Sequence, residues 1–278
     1  MTTKLQYFLL ALCFLWASHQ TVQAQHSSPV DAGARGLSMA STGVVFSDIN
    51  SAFTNQAGLA FLDKTSFSIF GAQRYLVQGL NNFGFAAAMP IRKIGTIGLS
   101  ISHFGHSAYH AQKIGLSYSR LLAPNFALAV QFDYLATSIP DYGIAHNFTG
   151  EIGIMYKASK QVTFGAHVYN PFAVKLKSGD AMATLFKVGI GYHPSEKVNL
   201  VGEIEKDLLY PLAAKFGIEY MPIKALAVRA GMASGPFRAS FGVGVKWQGL
   251  LIDFGTSYHE ILGFTPAISL SYAFDKKA

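Results

Sequence analysis

Residues 183 to 204 alternate. Phe186, Val188, Ile190 and Tyr192 are interleaved with Lys187, Gly189, Gly191 and His193, so an extended strand here has one apolar face and one small or polar face. Pro194-Ser195-Glu196 interrupts the strand, after which Val198, Leu200, Gly202 and Ile204 resume the pattern against Asn199, Val201, Glu203 and Glu205. The unit recurs around turns expected at Met89-Pro90-Ile91, Leu122-Ala123-Pro124, Lys157 to Lys160, Met221-Pro222-Ile223 and Trp247-Gln248-Gly249. An aromatic residue sits beside most of these turns: Tyr118, Tyr156, Tyr192, Tyr220 and Trp247. Amphipathic rings at one height on successive strands are most stable where hydrocarbon meets water. Even spacing, strands of about ten residues and an aromatic girdle together specify a transmembrane β-barrel.

The rest of the composition agrees. Half the residues are hydrophobic and 13% are charged, yet beyond the N-terminus no apolar run reaches the 18 or so residues that a membrane helix needs. Lys4, the apolar run from Tyr7 to Ala17 and Val22-Gln23-Ala24 form a secretory signal peptide, residues 1–24, cleaved after Ala24. Cys13 lies inside it. A mature chain without cysteine has no disulfide, thiolate nucleophile or cysteine metal site. A secreted chain whose apolar content is spread as alternation belongs in a bacterial outer membrane. The net charge of +7 becomes +6 without Lys4, 21 basic residues against 15 acidic. Those bases are scattered over turns rather than gathered on one element, which argues against nucleic acid and for attraction to anionic lipid head groups.

Alternation marks fourteen strands within residues 63–274, followed by a tail, 275–278. The expected fold is all-β: a 14-stranded antiparallel transmembrane barrel with a short helical N-terminal hatch. An even count returns the chain to its starting side and places the Pro-containing turns at the periplasmic face. The connections Thr137 to Ala145, Asn170 to Met182 and Glu260 to Thr265 then face outward from the cell. Apolar sets such as Phe126, Leu128, Val130 and Phe132, or Phe241, Val243 and Val245, meet lipid. The opposite parity carries Asp133, Glu151, Glu203, Glu205, Lys215, Glu219, Arg229, Arg238, Lys246 and Asp253, an ionic network expected to line the lumen and reach the plug. Ile268, Leu270, Tyr272 and Phe274 close the chain in the manner of an outer-membrane insertion signal.

Residues 25–62 do not alternate and are expected to form the hatch inside the barrel. Asp48 can cap a helix in which Ile49, Ala52, Phe53 and Ala57 share a face and which Gly58 ends; a second short helix is expected near Leu37 to Ala40. Small residues such as Gly242 and Gly244 make room for this plug.

Ala34 to Gly43 (Ala-Arg-Gly-Leu-Ser-Met-Ala-Ser-Thr-Gly), followed by Asp48, Asn50, Asn55-Gln56-Ala57-Gly58 and Leu59, resembles the N-terminal signature of FadL-like outer-membrane barrels, nearest the PorV and PorQ branch associated with type IX secretion in Bacteroidetes. That family usually has proline where this chain has Gln56. The resemblance implies a fourteen-stranded barrel with an N-terminal hatch and neither catalytic residues nor a cofactor. It also implies one of two roles. PorV-like members act as secretion accessories that bind the secretion machinery or cargo domains, and the short outer loops favour this role. FadL itself passes hydrophobic molecules passively through a lateral opening.

Other chemistry finds little support. In Gly105-His106-Ser107 the His and Ser would point to opposite faces of a strand, and in a turn nothing fixes their geometry, so hydrolysis is not expected. His103, His106 and His110 have no nearby carboxylate, and no metal site is expected. Asn147-Phe148-Thr149 matches a glycosylation acceptor but lies on an expected strand.

Overall fold

The computed structural model describes residues 33–175 and 182–274. The expected signal peptide and C-terminal tail lie outside the described residues. The strands are β1 Ser66–Gln73, β2 Asn81–Ile91, β3 Gly95–His106, β4 Tyr109–Ala123, β5 Phe126–Ile139, β6 Gly143–Lys157 and β7 Val162–Tyr169, followed by β8 Leu185–Ser195, β9 Val198–Asp207, β10 Ala213–Ile223, β11 Leu226–Ala233, β12 Arg238–Trp247, β13 Leu250–His259 and β14 Gly263–Ala273. Each pairs antiparallel with its sequence neighbours, and β1 closes the barrel on β14 from Ser66↔Ala273 to Ala72↔Ala267. Closure matters because every backbone polar group left unpaired in hydrocarbon costs several kcal/mol.

Parity sorts the side chains as expected. Leu116, Val130, Phe132, Val188, Phe241 and Phe254 are exposed on the outer face, whereas Ser100, Asp133, Glu151, Glu203, Arg229 and Asp253 are buried inside. The girdle residues Tyr118, Tyr156, Tyr192, Tyr220 and Trp247 are all exposed, and the Tyr118 hydroxyl donates to the Ile94 carbonyl at 2.6 Å. The connections at the girdle end are two to four residues long; those at the other end run to fifteen, between Tyr169 and Leu185.

Strand ends differ from expectation where proline or an unusual backbone intervenes. Pro90, Pro194 and Pro222 lie in the last residues of β2, β8 and β10, and the turns follow them. A residue without an N–H fits a strand end or bulge, and the ladders shift register between Tyr192 and Ser195 and between Tyr220 and Ile223. β1 stops at Gln73, because Tyr75 and Leu76 take φ of 57° and 56°. The expected loop Thr137 to Ala145 contracts to the three residues between Ile139 and Gly143, so β5 and β6 stand taller than their neighbour β7. Above β7, Asn170 continues the wall: its amide donates to the Gly150 carbonyl (3.0 Å) and its Oδ1 accepts from Thr149 Oγ1 (2.9 Å).

Residues 33 to 62 pack inside the cylinder. Helix α1 is Gly33–Ser38, and it ends where Ala40 and Ser41 adopt φ of 60° and 57°. The single helix expected after Asp48 is instead two 3₁₀ turns, Ile49–Phe53 and Gln56–Phe61. Asp48 caps the first through the Asn50 amide (2.8 Å), and Asn55 interrupts the run by capping the second through the Ala57 amide (3.2 Å). Gly58 therefore lies within a turn rather than ending one. Its place demands glycine, since a Cβ would sit 2.0 Å from the Phe46 carbonyl oxygen.

The apolar core is the seam between this hatch and the wall. Phe53 meets Phe70 edge-on at 5.3 Å, Leu59 packs with Ala86 and Ala88, Val44 and Phe46 with Val201, and Ala57 with Ala127 and Met155. At the closing seam Ser271 Oγ donates to Ser68 Oγ, which donates to Asn50 Oδ1, both at 2.9 Å.

Candidate functional site

Three ionic clusters on the inner wall each receive hydrogen-bond donors from the hatch. On β10 to β13, Glu219 faces Arg229 across the ladder, with Arg229 Nε to Glu219 Oε2 at 2.5 Å and Arg229 Nη1 to Asp253 Oδ1 at 2.7 Å. Arg35 of α1 completes this cluster with a forked contact to Glu219 at 3.0 and 2.7 Å. Arg35 also pairs with Asp48 and stacks over Phe46, 4.3 Å from the ring centre. The fork satisfies both carboxylate oxygens, the geometry in which a buried pair is strongest.

The second cluster, on β4 to β7, centres on Glu151. It pairs with Lys113 and accepts from His167 Nε2 (2.8 Å) and Gln131 Nε2 (3.1 Å). Asp133 lies 3.6 Å from Lys113 and accepts from Gln131 at 2.8 Å. The hatch contribution is Gln56, whose Nε2 donates to Glu151 Oε2 at 2.7 Å.

In the third, on β8 to β10, Lys215 bridges Glu205 (2.8 Å) and Glu203 (3.7 Å), and Lys187 approaches Glu205 at 3.3 Å. The Gly43 and Val44 amides of the hatch both donate to Glu203 Oε2, at 2.9 and 3.0 Å. Isolated charges in such a place would be prohibitive, and reciprocal pairing is what makes them tolerable.

Of the expected network residues, Glu151, Glu203, Lys215, Glu219, Arg229 and Asp253 sit in these clusters, as do Asp133 and Glu205. Arg238 and Lys246 do not. Both have inward parity but stand toward the two ends of β12, and among the described residues neither forms an ion pair with the clustered carboxylates. Among the hatch motif residues, Asp48 and Asn55 are caps, Asn50 bonds β1, Ala57 packs on the wall and Asn55 Nδ2 also donates to the Ile154 carbonyl at 3.0 Å. Lys113, His167, Gln131, Arg35 and Gln56 were not singled out by charge patterning. The inward parity of the first three was their only signal.

Above the hatch, at the loop end, the lumen holds a cavity of about 490 Å³. Leu37, Ser41 and Thr54 of the hatch line it, together with wall and loop residues including Tyr75, Leu185, Tyr210 and Pro236. Its cations divide into two kinds. Lys187 and Lys215 are held by Glu205, whereas Arg74 stacks on Phe104 at 5.1 Å and Arg238 has a buried Nε with no hydrogen-bond partner. His259 accepts the Ile261 and Leu262 amides on Nδ1 (3.2 and 3.3 Å), which leaves Nε2 carrying the proton. The cavity therefore joins apolar surface to spare hydrogen-bond donors, with Asp207 Oδ2 as a spare acceptor.

A second hollow, about 470 Å³, is on the lipid face around Gly71, among Ile69, Phe83, Phe85, Ile101, Ile268 and Leu270. The β14–β1, β1–β2 and β2–β3 ladders pass beneath it without a register shift. Phe70 backs it from inside, lying so close over Gly84 that a Cβ there would be 2.0 Å from the ring. On the outer rim His103 and His110 stack at 5.8 Å, and His106 Nδ1 accepts the Ala108 amide at 3.2 Å.

No protein-family model and no curated protein sequence matches the chain. Solved structures do match its shape. The Pseudomonas putida toluene transporter TodX superposes with a TM-score of 0.65 at 11% identity, over 90% of this chain and 98% of that one. A TodX mutant described as a monoaromatic hydrocarbon channel gives 0.69 at 11% identity, over 87% and 99%. A Pseudomonas aeruginosa FadL homologue gives 0.65 at 14% identity, over 91% and 100%. The fold is thus that of an integral outer-membrane β-barrel of the kind those structures share.

Proposed function

We propose that this chain, seated in a bacterial outer membrane, is a passive and non-enzymatic channel for a small, largely apolar molecule. The observation that carries the reading is the cavity above the hatch, inside a barrel whose fold matches hydrocarbon channels. A solute entering from the loop end meets Leu37, Tyr75 and Leu185, with Arg238 and Arg74 placed to hold a hydrogen-bond-accepting end. The hatch fills the lumen below, so passage requires the hatch to shift against its three ionic docks. The test is uptake of radiolabelled toluene and of a neutral long-chain alcohol by intact cells that lack their own hydrophobic-uptake barrels. Uptake above the empty-vector level supports the reading, and rates equal to that level for both solutes refute it.

A secretion-accessory role of the PorV and PorQ kind is the second reading. Supporting it are the short connections at the loop end, all but one of seven residues or fewer. Affinity purification from the native membrane would then recover secretion-machinery proteins or cargo domains.

A further inference from the structure

The girdle end of the barrel carries basic residues around most of its circumference. Its six connecting turns carry Arg92, Lys93, Lys160, Lys197 and Lys224 against the single acid Glu196. Of the two turns that lack a basic tip, Pro124–Asn125 has Arg120 on the lipid face of the adjoining β4, whereas the cation nearest Gln248–Gly249, Lys246 on β12, has inward parity and stands at the mouth of the lumen. All seven of these cations are exposed. The opposite end is balanced among the described residues, its connections holding Arg74 and Lys175 against Asp141 and Glu260.

Height makes this asymmetry specific. The girdle rings mark where hydrocarbon ends, and the head-group layer beyond extends about 5 to 8 Å on each side. Strands tilted by about 45° climb roughly 2.3 Å per residue, so Lys160 and Lys224, four residues past Tyr156 and Tyr220, and Lys197, five past Tyr192, stand at the outer edge of that layer, from which a long side chain can fold back onto head groups. Arg120 is more telling. It lies on the lipid face two residues past Tyr118, where an arginine is tolerated only if its head group reaches a polar partner. Chains of this fold keep both termini and their short turns on the periplasmic side.

We propose that this rim is a collar for anionic phospholipid head groups of the periplasmic leaflet. Positive charge on five of the six turns or their lipid-facing strand ends fits an annulus of lipid, whereas a folded partner would engage one side. The collar would fix the depth and tilt of the barrel, whatever solute the lumen carries.

The test uses the full chain in detergent micelles titrated with dioleoylphosphatidylglycerol or dioleoylphosphatidylcholine, with retained lipid counted by native mass spectrometry. The wild type should retain the anionic lipid in excess by on the order of fivefold, the factor one basic residue contributes near an anionic surface, and salt should erase the excess. The variant R92Q/K93Q/K160Q/K197Q/K224Q should lose it, while Lys175→Gln at the other end should keep it. Folding of each variant is checked by heat-modifiable gel migration. Arg120→Gln changes only a side chain on the lipid face; it should lower the excess and provides the test if the multiple variant fails to fold. No preference in the wild type overturns the proposal, even if that protein binds a soluble polyanion such as polyglutamate. So does an excess undiminished in every collar variant, or lost equally in Lys175→Gln.

Discussion

Gln56 Nε2 donates to Glu151 Oε2 at 2.7 Å, joining a hatch residue to a wall carboxylate 95 positions away. Gln56 stands where the resembling family usually has proline, and the contact explains what this chain gains from the difference. The residue opens the second 3₁₀ turn, a position where proline is also tolerated. Backbone geometry is thus compatible with either residue, but only glutamine supplies Glu151 with a fourth partner.

Gln56→Ala should therefore loosen the hatch and leave the barrel intact. A hydrogen bond to a charged group contributes about 1.5 to 3 kcal/mol, and Glu151 keeps Lys113, His167 and Gln131. The expected outcome is faster deuterium uptake at the amides of residues 55–62 with unchanged exchange in β5 and β6.

Arg35→Met should cost more, about 3 to 5 kcal/mol, because it removes the whole fork, leaves Glu219 Oε1 buried without its partner and takes the cation from Asp48. R35M/E219Q leaves Arg229 on Asp253 and should be less destabilised than the single variant. Urea unfolding of the reconstituted protein measures both, and equal losses would exclude charge pairing as the origin of the effect.

Gly231→Ala tests how closely the hatch approaches the wall. Its Cβ would lie 2.5 Å from the Ala40 nitrogen and 2.6 Å from the Met39 carbonyl carbon, both backbone atoms with no rotamer in which to retreat. The variant should still migrate as a folded barrel, and in planar bilayers it should pass more ion current than the wild type because the displaced hatch leaves a gap.

Val243→Arg and Trp247→Arg separate depth on one strand. Both residues face lipid, but Val243 is mid-strand and Trp247 ends β12 at the girdle. The first substitution should cost about 2 to 4 kcal/mol and the second no more than about 1 kcal/mol, as read by urea-driven release from vesicles.

The strand count was legible because a barrel wall imposes a two-residue period wherever it meets lipid. Strand ends were less so: Pro90, Pro194 and Pro222 signal a turn, yet each is accommodated as the last stretch of a strand. Parity identified the carboxylates of the lumen but not their height along the strand, which is why Arg238 and Lys246 looked equivalent to Arg229. The hatch contacts were hardest to read. Arg35 meets Glu219 across 184 positions, and no periodicity connects an irregular segment to a wall it touches only after the cylinder closes.

The serine relay from Ser271 through Ser68 to Asn50 bears on how such a cylinder is completed. The first and last strands are the pair that closes the cylinder, and the segment just upstream of the first strand bonds to both sides of their join, since the Ala34 amide also donates to Ser269 Oγ. An inner segment placed this way is a clasp as well as a stopper: it can hold the two ends together before their own ladder zips. A chain shorn of that clasp should insert its middle strands on schedule and stall with its ends apart.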